Sequence, residues 1–160
     1  MDMKSAIYAK IAGLRDRLAE VDMSLGAPAT PIDIETLIGA AWYELSAEVP
    51  SGYLDFLRNF DGFIAGGVFL YTSSLLTTDD EIIGNGFVGN NVFQRNMEFM
   101  ENFLVFGESD MDVYVLDLAS GRYQVRDRVA IDNVFEEFDT FEGLLEYMVD
   151  LVALRFEGLN

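Results

Sequence analysis

The apolar residues of this chain recur at helical spacing as far as Phe60, at strand spacing from Gly66 to Ala130, and at helical spacing again from Asp139 onward. That switch constrains the fold more than any motif, because a 3.6-residue period and a two-residue period bury different faces and are not interchangeable. Ile7, Ile11, Leu14, Leu18 and Val21 stand at alternating steps of four and three with charges between them, which predicts an amphipathic helix within residues 1–24. Gly26, Pro28 and Pro31 then mark a connector, and Thr30-Pro31 has the form of a cap followed by proline at the first helical position. A second helix is predicted through IDIETLIGAAWYEL. A short third, opened at Pro50, carries Tyr53, Phe56, Leu57 and Phe60 on one side and stops at Asp61-Gly62.

The strand-like segments are GGVFLYTS, FLVFGESD, MDVYVLDLA and RYQVRDRVA, with Ser120-Gly121 placed where a hairpin should reverse. The closing segment sets Phe141, Leu144, Leu145, Met148, Leu151 and Val152 on one helical face, with Asp139 as its N-cap. Helices, then a sheet, then a helix predict an α+β fold. In detail this is N-terminal helices, a central, largely antiparallel sheet of about four to six strands, and a C-terminal helix packed on it, all in one domain over residues 1–160. Trp42, Tyr43 and the group Tyr53, Phe56, Phe60 and Phe63 are expected in the core.

Composition narrows the chemistry. The chain has no cysteine and no histidine, which removes disulfides, the usual zinc sites, thiol nucleophiles and any imidazole triad. The start MDMKSAIYAK lacks an apolar signal core, and no run reaches membrane-spanning length, so the expectation is a cytoplasmic protein with no membrane partner. Residues 84–89 read GNGFVG, the letters of a dinucleotide-binding fingerprint, but their lead-in TTDDEII is polar and the later elements are hairpins rather than βαβ units. An irregular loop whose glycines and asparagines tolerate positive φ is expected there instead, with no cofactor.

The net charge is −18, and the half from Asp79 onward holds 18 acids against 5 bases. Such a field repels nucleic acid and draws in cationic partners. Carboxylates are the only abundant reactive groups, offered by Asp79, Asp80, Glu81 and by Glu108, Asp110, Asp112, Asp117, so any enzyme here would be a carboxylate enzyme, such as a hydrolase acting on carbohydrate, or a metal enzyme using oxygen ligands. The calcium-loop pattern is missing, and no metal is expected. On the last helix Glu142, Glu146 and Asp150 stack at steps of four with no cation between them, an arrangement that costs about 0.2–0.5 kcal/mol per pair. With Glu108, Asp110, Asp112, Glu136, Glu137 and Asp139 they are the candidate partner-binding face, which could imitate phosphate for a basic protein if the segments adjoin. Arg122, Arg126 and Arg128 fall on one side of a strand, as an anion contact or, the favoured reading, as cross-strand partners of acids such as Asp117.

The stretch VPSGYLDFLRNFDGFIAGGVFLYTS resembles the signature of the SUKH superfamily, the Smi/Knr-like domains. Pro50, Tyr53, Phe56, Leu57, Gly62, Leu70 and Tyr71 follow its order, although Gly52 lengthens the commonest spacing by one. FLVFGESDMDVYVLDLASGRYQVRD and DTFEGLLEYMV resemble its paired central strands and closing helix, so the likeness covers residues 31–157 and leaves residues 1–24 as an added helix. The resemblance implies a non-enzymatic binding domain. Its bacterial members include immunity proteins that neutralise toxins, often nucleases, and its fungal relatives regulate cell-wall assembly through protein contacts. The expected role is therefore immunity by occlusion of a basic toxin, with a wall-related scaffold and the carboxylate hydrolase as alternatives. Either a basic protein or a second copy in a homodimer would be the partner.

Overall fold

The structure is a computed structural model that describes residues 2–18, 23–74, 76–77, 82–84 and 86–157. Its fold is α+β. Helix α1 (Met3–Leu18) buries Ile7, Ile11 and Leu14, as their spacing requires; Val21 lies outside the described residues. Residues 23 and 24, inside the bounds predicted for that helix, belong instead to a strand, β1 (Met23–Leu25), just ahead of the connector. Helix α2 (Pro31–Leu45) starts at the predicted cap: the Asp33 backbone N–H donates to the Thr30 hydroxyl, and the Thr30 N–H donates to the Asp33 carboxylate. Helix α3 (Ser51–Asn59) turns Tyr53, Phe56 and Leu57 fully inward.

Strands β2 (Phe63–Ala65) and β3 (Val68–Leu70) form a hairpin whose reversal puts Gly66 and Gly67 at φ 56° and 76°. A two-stranded ribbon of β4 (Leu76–Thr77) and β5 (Ile82–Gly84) leads into α4 (Phe87–Gln94), and a 3-10 turn at Met100–Asn102 leads out. Then come β6 (Phe103–Glu108), β7 (Asp112–Asp117), β8 (Tyr123–Asp127), β9 (Val134–Phe138) and α5 (Phe141–Phe156). The main sheet runs β1-β2-β3-β6-β7-β8-β9 with every neighbouring pair antiparallel. Its seven strands exceed the four to six expected because β1 and β2 are only three residues long and β9 sets Glu136 next to Glu137, so none of the three shows a sustained two-residue pattern.

Helix α5 lies along one face of the sheet with α1 beside it. Its closeness is set by small residues: a Cβ on Gly143 would stand 2.9 Å from Phe138, and one on Gly107 would stand 3.1 Å from the Met148 side chain of α5. The rings of Tyr53, Phe87, Phe106 and Phe141 meet at the centre, with centroids 5.1 Å apart for Tyr53–Phe106 and 5.3 Å for Phe106–Phe141.

Three local expectations are corrected. The segment after GNG is not a loop but helix α4, and Gly86 has an extended φ of −71°. Gly86 is needed because a Cβ there would fall 2.8 Å from the Ser74 backbone, where the Phe87 N–H donates to the Thr72 carbonyl. The N-cap of α5 is Thr140, whose hydroxyl accepts from the Gly143 N–H, and not Asp139, which pairs with Arg122. Trp42 and Tyr43 are exposed rather than core, because α2 buries Ile34, Leu37, Ala41 and Leu45 and these two fall on the opposite side.

Candidate functional site

The motif residues that carry the family resemblance form a joint. Pro50 caps α3, and the Tyr53 hydroxyl donates to the Tyr71 carbonyl at 2.6 Å. Gly62 adopts φ 79° where a side chain would strike the Leu70 carbonyl. Leu70 and Tyr71 are buried beside it. These residues fasten α3 to the β2–β3 hairpin and place the Tyr71 ring at the floor of an open groove.

Two cavities make up that groove, and they meet at Asn90 and Glu108. The first, about 290 Å³, is lined by Asp61, Phe63, Ile64, Phe69 and Tyr71. The second, about 500 Å³, lies between α4 and the 128–131 loop and is lined by Phe93, Gln94, Met97, Glu98, Val129 and Ile131. Burial pushes the Tyr71 hydroxyl well above its ordinary range, with the Glu108 charge adding to it, and that hydroxyl accepts from the Gln94 side chain at 3.0 Å. The Asp61 carboxylate is held by the Ser73 N–H at 2.6 Å and the Ser73 hydroxyl at 2.9 Å. Arg128 reaches Glu108 at 3.7 Å and donates to the Ser109 carbonyl at 3.0 Å.

The walls are built by side chains that replace missing backbone partners. Asn91 is buried; its amide donates to the Val105 and Phe87 carbonyls, both at 2.8 Å, and accepts from the Val105 N–H at 2.7 Å. It thereby completes the β6 ladder where β3 has ended and docks α4 there. Arg126 donates to the Ile131 carbonyl at 2.8 Å and to Gln124 at 2.7 Å, and lies 4.6 Å over the Phe103 ring, which holds the 128–131 lip.

The three arginines are therefore structural: Arg122 pairs with Glu137 and Asp139, Arg126 with Asp117, and Arg128 with Glu108. The candidate carboxylates do not make one strip. Glu108 and Asp110 sit at the β6–β7 reversal, and Arg155 binds Asp110 at 2.6 Å. Asp112 is buried on the α5 side, where desolvation pushes its carboxyl up and the Tyr114 hydroxyl donates to it. Glu136 and Glu137 lie on β9. Asp139 and Glu142 meet Asp55, which the sequence pattern did not single out, in a cleft of about 240 Å³ between the starts of α3 and α5. Glu146 and Asp150 both face Lys10 of α1, at 3.1 and 3.3 Å, so the uncompensated stack expected on the last helix is compensated from α1. Asp79, Asp80 and Glu81 lie outside the described residues.

What the sequence reading did not place in the site is its apolar part. Phe93 is 70%, Met97 52% and Val129 94% exposed, and all three line the larger cavity, while Phe99 is exposed nearby in sequence. The available signal was four bulky apolar residues, Phe93, Met97, Phe99 and Met100, of which the fold buries only Met100. Among the described residues no group of three or more Asp or Glu is placed to hold a metal ion, and no helix is long and apolar enough to cross a membrane. No protein-family model matches the chain, and no curated protein matches it.

Proposed function

We propose that this chain is a protein-binding domain that covers a basic surface of another protein, with the groove between α4 and the 128–131 loop as its docking face. The observation that carries this reading is the exposure of Phe93, Met97 and Val129 around a single cavity whose lining also holds the carboxylate Glu98 and the ion pair of Glu108 with Arg128. Clustered large apolar side chains left in water mark interaction sites, and an aromatic anchor in a pocket supplies the holding energy. The Glu98 carboxylate speeds encounter with a cationic partner and rejects an acidic one. The resemblance to the SUKH superfamily supports a cytoplasmic immunity role, in which the chain acts by occluding a nuclease-type toxin and performs no chemistry of its own.

The test is interferometry of the whole chain against a panel of purified cationic nuclease-toxin domains at low and at physiological salt. At least one member is expected to bind, with Phe93→Asp and Val129→Asp each weakening it by about tenfold or more and Glu98→Lys slowing association. A panel without a binder, or a binder indifferent to both groove variants, refutes the reading.

A further inference from the structure

Strand β9 is the outermost strand of the main sheet, and no described residue pairs with its outer edge. At the opposite edge β1 is three residues long and contacts α1, both ordinary ways of guarding an edge. β9 is longer and uncovered: it runs five residues with no lysine or proline and its first four are exposed, and its guards are a register shift that leaves Phe135 without a partner on β8 and the charges of Glu136 and Glu137. Val134 and Phe135 are 42% and 48% exposed. Its alternate N–H and C=O groups point away from β8 and form a template for a further strand.

Charge decides what that strand can be. Glu136 stands in register with Val125 and Tyr114, and among the described residues no cation lies within ion-pair distance of it. Glu137 accepts from Gln124 at 2.7 Å and shares Arg122 with Asp139. A second copy laid antiparallel on β9 would set these carboxylates opposite or diagonal to their own kind, which destabilises a sheet pair, in a molecule already at −18. We infer that β9 accepts an extended segment of another protein, which adds as an eighth strand, sets lysine or arginine beside Glu136, and puts its alternate, apolar side chains on the opposite face. This edge is distinct from the groove, so either site can fail without the other.

The probe is a blocked peptide alternating lysine with valine, with a glutamate–valine and a lysine–proline counterpart, read by hydrogen exchange on the whole chain. The lysine–valine peptide is expected to slow exchange in Val134–Phe138 by roughly tenfold or more. Glu136→Lys with Glu137→Lys should remove that protection while leaving circular dichroism unchanged, and Phe93→Asp should leave it intact. The counterparts should protect nothing, the first for its charge and the second for its missing N–H donors. No protection at β9, equal protection by the lysine–proline peptide, or loss of protection with Phe93→Asp overturns the inference. So does β9 protection that grows with protein concentration in the absence of peptide, which would assign the edge to a second copy.

Discussion

Asp112 shows how one buried carboxyl sets a pH dependence. Desolvation raises it above the ordinary 3.8, with Asp110 and Asp127 adding to the shift and the Tyr114 hydroxyl and Arg155 opposing it. A folded-state value above the unfolded one means that folding disfavours the ionised form. The cost is absent where both states are protonated, grows as pH rises from 3.8 to the raised value, and is fully present above it. Asp112→Asn keeps an oxygen to accept from Tyr114 and removes the charge, so Tm at neutral pH should rise by about 2 °C and the gain should vanish below about pH 3. Calorimetry across that range decides it; an equal gain at both ends would trace the effect to packing. Asp112 was legible as one acid in a cluster, but not as buried, because strand alternation alone does not say which face a helix will cover. Asn91 and Gly86 were misread for a related reason. Asparagine and glycine are also loop residues, and here one replaces a ladder partner while the other admits the backbone of Ser74.

At the level of elements, periodicity revealed the faces but not their mates. Spacing identified α1 and its buried stripe, yet Lys10 finds Glu146 136 residues away, a pairing that only the folded chain displays. Tyr8 of the same helix packs edge-on to Phe60 at 6.1 Å, and burial, then the charges of Asp55 and Glu142, push its hydroxyl up to about 12. Strand β9 went unread because its exposed, acidic residues alternate nothing, and α4 went unread because its glycine and asparagines have poor helix propensity. The two kinds of contact that hold α1 should differ in strength. Ile11 is 1% exposed, so Ile11→Ala should cost about 2–5 kcal/mol, whereas Lys10→Ala breaks exposed pairs and should cost under about 1 kcal/mol. Urea unfolding of both variants checks this. If Lys10→Ala proved the costlier, the seam would be held by charge instead of by its apolar stripe.

For the whole molecule, the opposing terms are local attraction and overall repulsion. Among the described residues eight of the ten basic side chains make ion pairs, mostly at the surface. Exposed pairs are worth about 0.2–1 kcal/mol and lose part of that in salt. Against them stands the repulsion among 28 acids with only 10 bases to offset it, which acts over longer distances and is screened first as the Debye length falls from about 10 Å at 0.1 M towards about 3 Å at 1 M. The long-range term should win. Raising sodium chloride from about 20 mM to about 500 mM should lift Tm by about 3–6 °C, read by scanning calorimetry at neutral pH, while the same change slows association with a cationic partner. Opposite responses in stability and encounter rate are the signature of a charge surplus that costs the fold something and serves recognition. A Tm that falls with salt would show instead that the ion pairs, Lys10 and Arg122 foremost, outweigh the surplus, and the acidity would then have no claim to be a recognition device.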